Sequence, residues 1–300
     1  MIVLTLVVVV ATVVGVEAQR RLGDRAERAS ALLLRGVLWV VLPLVAFFNV
    51  AALDFGPEVV AGIAYGWASV ATGGFAAYLI GSRVLHLPHP ALGALILVGG
   101  LGNTGFLGLP FQVALFGREV LTDAVAYDVL VSGATLVILG FLVGAAFGTA
   151  ADRKRDRLRV FVTRNPPLWA VAAGLVAPES LAPQLAVDAS QLLVLAVVPF
   201  GFFAVGVTLA ASGARGLPPL DGTVITALGC KLVAAPALVL GLSALLIEVP
   251  PVYLVQPAMA CALNSLVVAN EYGLDQRICA AAVSWSTTVV LAVGLGVSLL

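Results

Sequence analysis

Two polar pairs inside apolar stretches of the chain have the residue types needed to bind a small anion. The first pair, Asn103 and Thr104, follows a glycine-rich run and precedes Gly105 and Pro110. Because proline removes a backbone donor and clashes with the preceding turn, a helix of this composition is expected to break here. The helix that begins beyond such a break directs free N–H groups and a partial positive charge toward a ligand. The segment therefore predicts an anion site, and a glycine-lined helix that only packs against its neighbours is the alternative.

The second pair, Asn264 and Ser265, lies in the middle of another apolar stretch, which has Pro257 near its start. Polar side chains deep in a membrane are unfavourable unless they are satisfied. A substrate would satisfy them, and so would hydrogen bonds between neighbouring helices. We expect the two stretches to correspond to each other as regions, although Asn103 and Asn264 do not occupy equivalent positions.

Two charged residues could add to such a site. Lys231 is the only basic residue deep inside an apolar stretch, and a charge there costs at least ~2.5–3.5 kcal/mol on insertion scales. Its side chain could counter an anionic substrate, pair with a carboxylate or release a proton during coupling; extension toward the lipid headgroups is the alternative. Asp128 is either a site of proton or ion coupling or a solvated residue at the mouth of the protein.

No sequence motif indicates an enzyme or a metal site. HExxH, P-loop and GxSxG patterns are absent, and His86 and His89 lie in a short HLPHP connection that is typical of a rigid turn. Cys230, Cys261 and Cys279 lie in apolar runs and are expected to be small core residues. We therefore predict no catalytic residue, metal ligand or cofactor. The net charge of zero gives no indication of a nucleic-acid partner.

The elements that must position these residues are membrane-spanning helices. Of 300 residues, 61% are hydrophobic and 11% are charged, and the mean hydropathy is +1.10, so a soluble fold could not cover its apolar surface. We predict an all-α membrane protein with about ten transmembrane helices, since apolar stretches long enough for a crossing or a short crossing helix recur along the chain. These stretches are residues 1–16, 32–53, 57–80, 90–116, 122–148, 164–177, 185–211, 220–247, 251–272 and 277–300.

Basic residues cluster after the first span and between the fifth and sixth spans. Because cytoplasmic loops carry an excess of Lys and Arg, the pattern predicts a cytoplasmic basic loop at residues 149–163 and both termini outside. The expected location is the cell (plasma) membrane, crossed many times. The loop divides the chain into halves of five spans, residues 1–148 and 164–300, which must enter the membrane from opposite sides.

Weak internal similarity favours two inverted repeats. Pro43 matches Pro199 and Gly117 matches Gly273, each pair being separated by 156 residues. Coincidence in an apolar chain of low complexity is the alternative. Inverted repeats with interrupted helices near the bilayer midplane are typical of secondary transporters.

Three segments resemble the auxin efflux carrier family, which includes bacterial malate and malonate permeases and is related to the plant PIN-FORMED carriers. They are GNTGFLGLPFQVALFG at residues 102–117, NSLVVANEYGLDQRICAAAVSWSTTVV at residues 264–290, and RRLGDRAERASALL after the first span. The first of these is the most specific, and the resemblance extends over essentially the whole chain.

The resemblance implies two inverted five-helix repeats, broken and crossing fourth and ninth helices, and an elevator-like movement of a transport domain against a scaffold. It implies that Asn103 helps to hold a substrate carboxylate and that Pro110 belongs to the crossover, and it is the basis for expecting a homodimer. The chain lacks the long central hydrophilic loop of the plant carriers. The break in its fourth span reads GLP, where the plant carriers have a run of prolines. A dicarboxylate or another small carboxylate is therefore a better expectation than auxin.

The predicted function is that of a secondary active transporter, a permease that moves a small organic anion across the lipid bilayer by alternating access. Asn103, Thr104, Asn264, Ser265 and freed amides at the two breaks are expected to receive the carboxylate, with Lys231 contributing charge. A proton or a sodium ion could be the coupling ion. The alternative function is that of a non-transporting membrane receptor or scaffold that binds a small carboxylate.

Overall fold

A computed structural model of the chain describes residues 1–53, 56–149, 166–211 and 218–299. Within these residues every regular element is a helix, and extended backbone pairs at one isolated bridge. Nearly all of the predicted basic loop, residues 149–163, lies outside the described residues.

The described part of the first half contains eight α-helices. They are α1 (Ile2–Leu22), α2 (Asp24–Gly36), α3 (Leu42–Ala51), α4 (Pro57–Arg83), α5 (His89–Gly100), α6 (Leu109–Phe116), α7 (Leu121–Tyr127) and α8 (Ala134–Phe147). Short π-helical segments lead directly into α3, α6 and α8; they are Val37–Val41, Thr104–Gly108 and Asp128–Gly133.

The described part of the second half contains seven more α-helices. They are α9 (Pro166–Val176), α10 (Gln184–Ala211), α11 (Gly222–Gly229), α12 (Ala235–Leu245), α13 (Pro251–Val255), α14 (Asn264–Tyr272) and α15 (Gln276–Val297). A π-helical segment, Cys230–Ala234, joins α11 to α12, and a 3₁₀ turn, Gln256–Ala258, extends α13. A separate 3₁₀ turn, Glu179–Leu181, precedes α10.

Five helices of the described residues are long and apolar enough to cross a membrane. They are Ile2–Leu22, Pro57–Arg83, Leu121–Gly144, Gly222–Leu245 and Gln276–Val297. Shorter apolar helices are Trp39–Ala51, His89–Gly100, Thr104–Phe116 and Ala196–Ala211. Large apolar side chains such as Val3 (75% exposed) and Phe75 (61% exposed) lie on the outside, which suits a protein surrounded by lipid. The described part of the chain is thus all-helical and has helices suited to a membrane, and the count of ten crossings stays a prediction.

The start of the chain differs from the sequence-based expectation. Helix α1 continues past residue 16 to Leu22, and residues 24–36, predicted to begin as a polar connection, form α2. Gly23, with a φ of 52°, ends α1, and Asp24 and Glu27 lie in the first turn of α2, where negative charge is favourable. The charged residues therefore extend helical structure beyond the apolar run.

The helices pack in two groups. Helices α1, α3, α9 and α10 form the first group, and the second contains α4, α5, α8, α11, α12 and α15. In the first group α1 approaches α10 closely, because a Cβ atom at Gly15 would lie 2.1 Å from the Phe203 carbonyl oxygen. Small residues permit such contacts between membrane helices. Phe106, in the π-helical segment 104–108, lies over Gly201 of α10 in the first group, where an added Cβ would be 2.4 Å from the ring.

Candidate functional site

Both predicted interruptions are present in the structure. The first falls between the end of α5 at Gly100 and the π-helical turn that starts at Thr104, and the second falls between Ala258 and the start of α14 at Asn264. Leu101 and Met259, the first residues after the two helix ends, have extended backbones with ψ angles of 134° and 155°. The sequence located these breaks correctly because glycine and proline disfavour a continuous helix.

The two interruptions pair with each other as a short antiparallel bridge between Gly102 and Cys261. The Asn103 N–H donates to the Ala260 carbonyl at 2.7 Å, and the Ala262 N–H donates to the Leu101 carbonyl at 3.0 Å. Backbone groups that the helices no longer satisfy are thus satisfied by each other, as a low-dielectric interior requires. We call this place, residues 101–103 with 259–263, the crossing.

A serine of α15 completes the backbone bonding of the crossing. The Cys261 N–H donates to the Ser286 Oγ atom at 2.9 Å, and the Ser286 side chain is fully buried. The sequence analysis did not single out Ser286. A serine within an apolar helix gives no signal of its own, because its hydroxyl often bonds to the preceding turn of the same helix.

Asn103 caps the helix that follows the first break, residues 104–116. Its Oδ1 atom accepts a hydrogen bond from the Leu107 N–H at 3.3 Å, which satisfies one of the otherwise free amides of the first turn. The side chain is 4% exposed. Its Nδ2 group has no hydrogen-bond partner among the described residues. A buried amide donor without a partner is unfavourable, and it is the feature of the crossing most suited to meet a ligand.

Thr104 links this helix to Asp128. The Thr104 Oγ1 atom donates to the Asp128 Oδ1 atom at 2.5 Å, and a Cβ atom at Gly105 would lie 3.0 Å from Asp128 Oδ2. The carboxylate therefore lies against the first turn of helix 104–116, where negative charge is favourable. Asp128 thus lies next to the crossing, at the start of helix 104–116, a position that its place in the sequence near the end of an apolar stretch did not reveal.

Lys231 reaches the crossing from the π-helical segment between α11 and α12. Its side chain is 2% exposed, and its Nζ atom donates to the Pro257 carbonyl at 3.0 Å. A Cβ atom at Gly102 would lie 2.8 Å from this Nζ, so a side chain at residue 102 would require the ammonium to shift. Extension toward the headgroups, the alternative weighed for Lys231, is wrong.

Three other residues predicted to form the site are placed differently from Asn103, Thr104 and Lys231. Ser265 is fully buried, but its hydroxyl donates to the Ala262 carbonyl at 2.6 Å. Asn264, the first residue of α14, is exposed. Pro110 lies inside helix 104–116 and not in the break. Its missing N–H is tolerated there because the preceding π-helical turn already departs from the regular bonding pattern.

Comparison with known proteins indicates the family of this chain. Residues 160–295 match the model of a family described as membrane transport protein. The chain is 30% identical over 229 residues to a protein described as an uncharacterised transporter from Methanocaldococcus jannaschii, a match that covers 73% of this chain and 72% of the relative. The chain belongs to this membrane transport protein family.

A second relative supports the assignment. A protein from Methanothermobacter thermautotrophicus, also described as an uncharacterised transporter, is 28% identical over 207 residues, which cover 66% of this chain and 64% of the relative. The predicted likeness to auxin efflux carriers and malate permeases is confirmed at the level of the family. The family match includes Lys231 and the second interruption, and begins after the first interruption.

Two glutamines of this membrane transport protein were missed by the sequence analysis. Gln112 and Gln256 are fully buried, and their Nε2 groups donate to the carbonyls of Val252 at 3.1 Å and Ala124 at 3.3 Å. Neither Oε1 atom has a partner among the described residues. A Cβ atom at Gly108 would lie 2.5 Å from Gln256 Oε1. A glutamine inside an apolar run was the available signal, because a polar side chain at that depth is unfavourable unless it has partners.

The helix ends give the crossing two electrostatic sides. Helix α5 and the helical segment 251–258 end there, so their carbonyl groups carry partial negative charge, while helix 104–116 and α14 begin there and present partial positive charge. Lys231 binds a carbonyl that precedes the second break, and Asp128 lies at the amide side of the first break. The arrangement can hold an anion at the amide side once Asp128 is neutral or displaced.

Proposed function

We propose that this protein is a secondary active transporter that carries a small organic anion, a carboxylate, across the cell membrane by alternating access. The family assignment supports transport in general. The observation that carries the choice of an anion is the buried Asn103 amide, whose Nδ2 group has no partner and lies at the start of helix 104–116.

A carboxylate suits this position because its two oxygens accept several hydrogen bonds at once. The Asn103 Nδ2 group offers one donor, and the first turn of helix 104–116 offers amides that have no partner within the helix. Thr104 and Gly105 belong to this turn, and a Cβ atom at Gly105 would lie 3.0 Å from the Asp128 carboxylate, so the absence of a side chain lets a carboxylate approach the backbone there. In the proposal these three residues receive the carboxylate of the substrate.

The other predicted site residues have supporting roles in the proposal. Asn264, which is exposed at the start of α14, contacts the remainder of the substrate from the second half of the protein. Ser265, Pro257 and Pro110 shape the backbone around the site. Lys231 adds positive charge at a distance, since its ammonium is already bonded to a carbonyl.

Asp128 is the coupling residue in this proposal. Its carboxylate lies beside Thr104 and Gly105, where the substrate carboxylate is proposed to bind. Two negative charges so close in a poorly solvated site repel each other strongly. Substrate binding is then favoured when Asp128 is protonated, which couples entry of the anion to uptake of one proton.

The proposed architecture has ten crossings in two inverted halves, with both termini outside. The pairing of Gly102 with Cys261, 159 residues apart, supports this arrangement, because the spacing is close to the 156 residues between matched positions elsewhere. The two packing groups support a division into a scaffold, containing α1, α3, α9 and α10, and a moving part that holds the crossing.

Transport by purified protein in liposomes tests the proposal. Vesicles loaded with one unlabelled small carboxylate are given the same compound in labelled form outside, and exchange is measured over a panel of mono- and dicarboxylates. Asn103→Asp keeps an oxygen for the Leu107 cap, removes the amide donor and adds a negative charge that repels the substrate carboxylate, so exchange should fall. Asn270→Asp, at an exposed residue that accepts a bond from Gln276, is the matched control and should exchange normally.

Three results would count against the proposal. Absence of exchange with every carboxylate would contradict transport of this substrate class. Normal exchange by Asn103→Asp would contradict the proposed position of the site. Saturable binding of a carboxylate without exchange would favour the receptor or scaffold alternative.

A further inference from the structure

The most unusual group in the described residues is the buried ammonium of Lys231. We propose that it is a built-in cation that binds the main-chain carbonyl of Pro257, lies against the backbone at Gly102, and so holds together the carboxyl-terminal ends of the two interrupted helices. Lys231 is thus a positioning residue. The inference rests on the proposed function only because the crossing is proposed to be the place where substrate binds.

The contacts of Lys231 bring the two interruptions to one point. Its Nζ atom donates to the carbonyl of Pro257, in the 3₁₀ turn that ends the helical segment before the second interruption. The same atom lies against Gly102, two residues beyond the end of α5. A single ammonium therefore touches the backbone of both interruptions, which belong to opposite halves of the chain.

The charge of Lys231 is balanced by backbone dipoles. Among the described residues no acidic side chain forms an ion pair with it. The last carbonyls of a helix lack partners within the helix and together carry about half a negative charge. Two such helix ends meet at the crossing, so one ammonium matches their combined charge. Without it, unpaired carbonyls would repel each other in a poorly solvated interior.

The surroundings of the ammonium define the class of ligand that the site would accept. Carbonyl oxygens bind hard monovalent cations and primary ammonium groups. Because the lysine side chain fills the site, the protein needs no inorganic cation there. Removal of the side chain beyond Cβ should leave a cavity with the length of a short alkylamine, lined by the oxygen of Pro257.

Thermal unfolding of the purified protein tests this inference without any transport substrate. Cys230, Cys261 and Cys279 are buried and free, so a dye that fluoresces on reaction with thiols reports unfolding. Lys231→Ala should melt roughly 5 °C or more below wild type. n-Propylammonium should recover part of that loss in the variant and leave wild type unchanged, whereas n-propanol, of the same length without charge, should not.

Further variants and salt conditions test the same inference. Lys231→Arg, which keeps the charge, should melt closer to wild type than Lys231→Met, which keeps most of the length; this pair is used if the alanine variant does not fold. Wild type should melt at the same temperature in sodium chloride and in choline chloride. The inference is overturned if propanol stabilises the alanine variant as well as propylammonium does, or if neither compound stabilises it. It is also overturned if the Met and Arg variants have equal melting temperatures, or if sodium raises the melting temperature of wild type. A failed exchange assay would leave these results untouched, so the two proposals fail separately.

Discussion

Replacement of Asp128 by asparagine should remove the pH dependence of substrate binding. In the structure the carboxylate accepts a hydrogen bond from Thr104 and lies against Gly105, at the start of helix 104–116. A substrate carboxylate bound to the same turn would lie about 5 Å from it, and two unit charges at that distance repel by roughly 3 kcal/mol at an effective dielectric constant of about 20. That energy corresponds to a change of roughly 100-fold in affinity.

The direction of the pH effect on substrate affinity depends on which form of Asp128 repels the substrate carboxylate. The ionised carboxylate, favoured as the pH rises, opposes the substrate, so wild-type affinity should fall from acidic to alkaline buffer. Asp128→Asn keeps the shape and an oxygen acceptor for Thr104 without the charge. The variant should therefore bind tightly, like the protonated wild type, in both buffers.

Isothermal titration in detergent, at one acidic and one alkaline pH, measures this difference directly. Asp123→Asn is the matched control, because Asp123 lies on the preceding helix α7 and interacts with the Tyr253 hydroxyl at 3.4 Å. It should keep the wild-type pH dependence. The reasoning is refuted if Asp128→Asn retains the wild-type slope, or if it binds weakly at both pH values, since the carboxylate itself would then be needed for binding.

Two further substitutions test the packing and bonding of the crossing by thermal unfolding. Gly73→Ala should destabilise the protein by about 1–3 kcal/mol, because its Cβ would lie 2.2 Å from the Gly99 carbonyl oxygen. The control Gly229→Ala, with no atom within 4 Å of its Cβ, should not destabilise it. Equal melting temperatures of the two variants would contradict the close approach of α4 and α5. Ser286→Ala should cost about 1–3 kcal/mol because it leaves the Cys261 N–H without its acceptor, and an unchanged melting temperature would show that this bond is not needed.

The described helices follow from apolar composition to a large extent. The five long helices of the described residues coincide with stretches predicted from hydropathy, since the thickness of a bilayer sets the length of the apolar run. The interruptions were also predictable, because glycine and proline act locally on the backbone. The charged helix α2 was not predicted. Its stability depends on charges placed near the helix start, which a search for apolar runs does not detect.

The roles of single residues were less accessible. Asn103 and Thr104 stood out because they are polar residues beside a break in an apolar stretch. Gln112 and Ser286 lie in apolar runs without such a break, and their partners could not be predicted, because a polar residue in a membrane helix can bond to its own helix or to another chain segment. Which of these occurs depends on neighbours that are distant in the sequence.

What the sequence alone determined is therefore local: where the chain is apolar enough to be helical in lipid, and where glycine and proline interrupt the helices. What only the tertiary structure decided is which interrupted segments meet and which charges meet them. Lys231 is 26 residues from Pro257 and Asp128 is 24 residues from Thr104, and no periodicity or motif connects them. These contacts arise because broken backbone in a poorly solvated interior must find partners, and packing alone brings those partners within reach.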